Sequence, residues 1–230
     1  MLVMLAMLSA LAWIVASVVR IPIVPAVGFL GYEPKDVILV IAGFLYGPIA
    51  PLAMAALLSI IEMITTSVTG WLGAIQNFIS SCVFCCTAAL IYKRWRTLKG
   101  AAVGLSVGTL LTAGIMLPSN YIFAPVFMDM QLGIGQEAAR SMVVSMLIPG
   151  FLPFNLIKYG LNTALTMILY KRIRSALNAA RILPFVQEAP TIRSIKINII
   201  ILAISTLIII ICITFVLALY GWVFFYNPMD

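Results

Sequence analysis

The sequence contains no histidine and only seven acidic side chains in 230 residues. Without histidine, neither a Ser-His nucleophilic relay nor an HExxH zinc motif can be built, so an intramembrane protease of either kind is excluded. No GxxxxGK[ST] loop is present, so the chain does not handle ATP by that route and any energy must come from a partner. Short segments of alternating hydrophobicity, the mark of a transmembrane β-barrel, are missing, as is an internal repeat of the kind secondary transporters often carry. Cysteine is scarce: Cys82, Cys85 and Cys86 cluster in one apolar run and Cys212 lies far from them. A low-dielectric helix disfavours thiolate, so the cluster reads as buried small apolar residues rather than a metal site. No metal, no catalytic residue and no enzymatic activity are expected.

What the chain has in abundance is apolar surface. It is 63% hydrophobic and 9% charged, with a mean hydropathy of +1.16, which places it among polytopic membrane proteins. Backbone groups in lipid must be paired internally, so the apolar runs are expected to be helices and the fold all-α. Candidate spans cover residues 2–19, 37–47, 49–67, 72–92, 100–121, 153–170 and 197–224. Pro22, Pro25, Gly28, Gly31 and Pro34 punctuate the first loop, and Gly47-Pro48 turns the short second span into the third. The first segment lacks a basic lead and is followed by Arg20-Ile-Pro, so it reads as a span rather than a cleaved signal.

Basic residues orient the array. Lys93, Arg94, Arg96 and Lys99 share one loop; Lys171, Arg172, Arg174, Arg181, Arg193 and Lys196 share another, so ten of the fourteen sit on one side. The positive-inside rule makes that side cytoplasmic, together with the N-terminus, in a multi-pass plasma-membrane protein. The net charge of +7 then reports topology and contact with anionic headgroups of the bilayer, with no nucleic-acid partner implied.

That orientation brings polar residues from several spans to one level near the outer face. Glu62 lies late in the third span, Gln76 and Asn77 early in the fourth, Asn120 and Tyr121 late in the fifth, and Asn155 and Lys158 early in the sixth. Asn155, Lys158 and Asn162 also share one helical face. Singly, each has an ordinary account: Lys158 and Glu62 snorkelling to headgroups, amides joining helices. Together they suggest a pocket for an uncharged or zwitterionic polar heterocycle, with Phe154, Tyr121 and Trp71 as aromatic candidates. Trp71 also suits the interfacial aromatic belt. The inner halves of the spans are apolar, which fits a pocket closed at its base.

Four stretches carry a family resemblance: GFLYGP (43–48), TGWLGAIQNF (69–78), ALIYKRWRTLKGAAVGLSVGTL (89–110) and LPFNLIKYGLNTALTMILYKRI (152–173). Over about residues 5–180 the chain resembles an S component, the substrate-capturing subunit, of an energy-coupling factor (ECF) vitamin transporter, most like the riboflavin-binding group. The resemblance implies a six-helix core that holds its vitamin under the first outer loop. It also implies delivery only when docked on a scaffold membrane subunit that carries two ATP-binding subunits. The vitamin is a transported substrate, so no cofactor is expected. Pantothenate, a B6 vitamer or folate are the other vitamins to weigh, and a non-transporting membrane assembly protein is the competing class.

The first loop then reads as a lid: Phe29 and Tyr32 to close over a flat ring, Asp36 to cap a helix starting at Val37. Its bland account is a connector whose Lys35-Asp36 pair meets water. The family's docking surface includes an AxxxA pattern on span one, matched by Ala6 and Ala10 and again by Ala12 and Ala16; small residues one turn apart admit another helix. Three segments are expected: a binding core over 1–180, a basic cytoplasmic linker over 181–196, and an extra C-terminal transmembrane helix and tail over 197–230.

Overall fold

The computed structural model describes residues 1–22, 30–65 and 70–179, the side chains of 171–179 excepted, together with Leu207, Ile210 and Thr214. Phe29, the linker 181–196 and nearly all of the seventh expected span lie outside the described residues.

Seven α-helices and one short ribbon make up the described chain: α1 (Leu2–Val18), β1 (Ile21–Pro22), β2 (Gly31–Tyr32), α2 (Lys35–Tyr46), α3 (Ile49–Thr65), α4 (Gly70–Arg94), α5 (Leu98–Leu132), α6 (Gln136–Met146) and α7 (Leu152–Ala179). The α4 and α5 helices and the path from Gln136 to Tyr170 are long and apolar enough to cross a membrane, while α1 and α3 are shorter apolar helices. Gly47 makes the tight α2–α3 turn at φ 89°, a left-handed value that a side chain would strain. Thr97 caps α5, its hydroxyl oxygen accepting the Gly100 amide at 3.1 Å.

The α4–α5 contact is the most extensive in the described bundle, and glycine lets the two backbones approach there. A Cβ on Gly104 would stand 2.8 Å from the Ala88 carbonyl oxygen, and one on Gly108 2.9 Å from that of Phe84. Beside this seam, Phe84 and Tyr159 pack at a 43° tilt with centroids 4.8 Å apart. With Leu39, Met54, Leu58 and Leu105 they form an apolar core that fills the middle of the bundle.

Several expectations are corrected. The fifth helix does not stop near residue 121. It runs through Pro118 and Pro125 to Gly133, whose left-handed backbone (φ 63°) ends it, so at 1.5 Å per residue it is roughly 50 Å long if straight. Residues 136–146, expected to be outer loop, form α6, with Ala139 and Val143 buried one turn apart. Its many polar residues dilute the apolar signal that marks a span. A π-helical turn, Leu147–Phe151, joins α6 to α7. Pro149 within it has no amide hydrogen to donate, which accounts for the widened turn. The flanks of the first loop pair as an antiparallel ribbon, Ile21 opposite Tyr32 and Pro22 opposite Gly31. Asp36 caps nothing: α2 begins at Lys35, with Pro34 before it and no side-chain cap. Ala12 and Ala16 are buried within the bundle, so that pair is not open to another helix. Ala6 and Ala10 are exposed.

Candidate functional site

A polar cavity lies at the ribbon end of the bundle. Gln76, Asn77 and Ser80 reach it from α4, Met116 and Asn120 from α5, and Phe154, Asn155 and Lys158 from α7. Arg20, Leu30, Gly31 and Glu33 close it from the ribbon side. The cavity is small, about 60 Å³. Below it sits the Phe84–Tyr159 core, which blocks passage toward the basic end.

Lys158 is the group that most needs a ligand. It is only 5% exposed, and among the described residues no carboxylate stands within ion-pair distance of it. Its ammonium lies 5.6 Å from the Tyr159 ring centroid and 6.0 Å from that of Phe154, so ring faces supply part of its stabilisation. An ammonium has three donors, and this one is not among the fully enclosed orphan atoms, so it is open to acceptors in the cavity.

The amides beside it are individually anchored. Asn155 donates its amide to the Phe151 carbonyl at 2.8 Å, and Asn120 donates to the Met116 carbonyl at 2.7 Å. Gln76 donates to the Asn120 oxygen at 3.1 Å, and Asn77 donates to Glu62 Oε2 at 3.3 Å.

Behind this layer the charges are paired. Lys35, at the start of α2, donates to Glu62 on α3 and lies 3.2 Å from Glu33, while Arg20 reaches Glu33 from the other side at 3.6 Å. Burial pushes the Glu33 carboxyl up, but the charges of Lys35, Lys158 and Arg20 outweigh it and hold the carboxyl below its ordinary range. Asp36 accepts from Ser81 at 2.6 Å and from Asn162 at 3.4 Å, and the Asn162 oxygen accepts from the Tyr32 hydroxyl at 3.1 Å.

Of the expected binding residues, the structure brings Gln76, Asn77, Asn120, Phe154, Asn155 and Lys158 to one cavity. Glu62 stands one layer back and pairs with Lys35. Trp71 and Tyr121 are not brought there. Trp71 is 53% exposed, a placement that suits the interfacial belt. Tyr121 is also exposed, and the Arg140 guanidinium lies 5.6 Å over its ring. Of the lid residues, Tyr32 is packed against Phe154 and Ile157, and Asp36 is fully buried in the core rather than at a mouth. The pairing of Lys35 with Asp36 in water is overturned too, since both are buried. Sequence reasoning missed Arg20, Glu33, Ser80 and Lys35. The run Glu33-Pro-Lys-Asp at the entrance of a short span was the available signal, because charges there must be paired if the span is buried.

A cavity lined by anchored amides and one underpaired ammonium, opening at one end of an apolar helical bundle and plugged beneath, defines a membrane receptor for a small polar solute. Residues 1–170 match the family model for the substrate-specific component of ECF transporters, and the chain belongs to that family. It is 27% identical over 176 residues to the riboflavin transporter RibU of Staphylococcus aureus, covering 76% of this chain and 91% of that protein. It is 28% identical over 178 residues to the riboflavin transporter FmnP of Bacillus subtilis, covering 75% and 91%. A solved S component of a bacterial ECF transporter superposes with a TM-score of 0.61 at 26% identity, covering 76% of this chain and 96% of that one. As a family member the protein is the multi-pass, substrate-specific membrane component of an ECF transporter.

Proposed function

We propose that the protein captures riboflavin in the cavity between α4, α5 and α7 and releases it inward only when docked on an ATP-driven module. The observation that carries this is the convergence of Gln76, Asn77, Asn155 and Lys158 on one cavity in a chain whose curated relatives are riboflavin transporters. Among the charged groups that line the cavity, Arg20 and Glu33 pair with each other, and Lys158 is left to donate to the carbonyl oxygens of an uncharged solute. Phe154 lines the cavity with aromatic surface, and the amides and Lys158 offer directional contacts. The protein then has no catalytic role and no resident cofactor.

The basic end faces the cytoplasm in this reading, with the N-terminus, and the cavity opens outward. Sites that enclose a small molecule measure about 300–1,000 Å³, so the cavity of about 60 Å³ must widen. Arg20, Leu30, Gly31 and Glu33 are the described lining groups outside the bundle helices, and the segment that carries Leu30, Gly31 and Glu33 moves as the lid. The exposed Ala6 and Ala10 receive the scaffold subunit, which carries the two ATP-binding subunits.

The test is direct. The purified protein should be yellow or should bind riboflavin at submicromolar concentration, read as quenching of flavin or tryptophan fluorescence. A thermal-shift panel of water-soluble vitamins that shows no effect of riboflavin but stabilisation by pantothenate, a B6 vitamer or folate would reassign the substrate. No effect of any vitamin would overturn capture itself.

A further inference from the structure

The orientation of each cavity amide is set by an acceptor behind it. Phe151 and Met116 present backbone carbonyl oxygens and Glu62 a carboxylate, none of which can donate, so the amide nitrogens of Asn155, Asn120 and Asn77 must face them. Asn120 has its oxygen left for Gln76, whose nitrogen is thereby committed as well. Three side-chain carbonyl oxygens remain without a protein partner among the described residues: those of Gln76, Asn77 and Asn155. None of them is among the fully enclosed orphan atoms, and all three residues line the cavity. The cavity therefore offers three amide acceptors beside the Glu33 carboxylate and the Ser80 hydroxyl, with donors at Lys158 and Arg20.

The Asn77 anchor is the costly one. Glu62 Oε2 accepts from both Lys35 and Asn77, while Glu62 Oε1 is buried with no partner among the described residues. An ion pair between helices that leaves a carboxylate oxygen unsatisfied is a poor device for stability. It is a good one for holding an amide in a single orientation.

We propose that Glu62, fixed by Lys35, and Asn120, fixed by Met116, are positioning residues that turn Asn77 and Gln76 oxygen-first into the cavity. The site so formed selects ligands by their N–H and O–H donors. This rests on the riboflavin reading and deepens it: an imide N–H and a polyol chain are such donors, and each left without an acceptor, or capped, forfeits binding.

Two capped ligands test it: riboflavin methylated on its imide nitrogen and riboflavin with its ribityl hydroxyls acetylated, each titrated by fluorescence against the full-length protein. At least one should bind about tenfold or more weakly than riboflavin itself. Equal binding of all three overturns the donor selection and leaves riboflavin capture standing; no binding of any flavin overturns both. The same titrations on Glu62→Gln and Asn120→Ala separate positioning from bulk. An amide released from its anchor can turn its nitrogen to the ligand, so the ratio between riboflavin and the discriminated ligand should shrink at least about threefold in one or both variants. A loss of affinity equal for every ligand, in both variants, would make these residues merely structural. Should one variant fail to fold, the other and the wild-type ratio still decide.

Discussion

Lys158 concentrates the residue-scale physics. Its charge is buried beside two aromatic rings, with no carboxylate of the described residues in ion-pair range, and Asn155, one turn before it, lines the same cavity. Removing one partner of a buried polar contact strands the other, at about 1–3 kcal/mol. Lys158→Ala and Asn155→Ala should each weaken riboflavin binding roughly ten- to a hundredfold with near-normal membrane expression. Unchanged dissociation constants in both would remove them from the site. Glu33 makes a second expectation. Its folded carboxyl titrates below the ordinary value of 4.5, so its ion pairs contribute fully above that pH and are lost as pH falls through the lower folded value. Thermal stability should then drop more steeply below about pH 4.5 in wild type than in Glu33→Gln. Parallel curves would contradict that. Much of this layer was legible beforehand: Asn155, Lys158 and Asn162 fall on one face of α7 by simple periodicity. The pairing of Lys35 with Glu62 was not, because it joins two helices whose relative rotation local pattern does not specify. Trp71 and Tyr121 went astray for a related reason, since depth in the membrane says nothing of which way a ring points.

At the scale of elements, the α4–α5 seam and the outer face of α1 make separable claims. Gly108 sits where a Cβ would press on the Phe84 backbone; Gly108→Val should lower stability by about 1–3 kcal/mol, seen as a reduced thermal midpoint, whereas a midpoint equal to wild type would mean the helices part freely. Ala10 is exposed on α1. Ala10→Leu should block assembly with the scaffold subunit, measured by co-purification, and leave riboflavin binding intact; loss of binding instead would refute the docking role. The apolar runs, the Gly47 turn and the positions of α1 to α4 were readable from hydropathy and breakers to within a few residues. The end of α5 and the whole of α6 were not. The expected fifth span already passed Pro118; Pro125 and Pro149 look like stops in a sequence, yet packing carries α5 through the first and a π turn absorbs the second. Helix α6 buries only a narrow face, Ala139 and Val143, among polar neighbours.

For the whole molecule, among the described residues every side chain that lines the cavity comes from residues 20–158, and the family match ends at residue 170. Binding should therefore reside in the first 180 residues, with the segment 197–230 dispensable for it. A chain ending at residue 180 that binds riboflavin within about threefold of the full chain would agree; a much larger loss in a well-folded truncation would make the C-terminal segment part of the receptor. The apolar core beneath the cavity also makes the isolated protein a receptor without a path: reconstituted alone in vesicles it should bind riboflavin yet accumulate none. The most direct test of the whole account is a riboflavin titration of purified wild-type protein beside Lys158→Ala. Submicromolar, one-to-one binding by the wild type and at least tenfold weaker binding by the variant are the expected results. Identical curves, or no binding by the wild type, would contradict the claim that this cavity is where the vitamin is held.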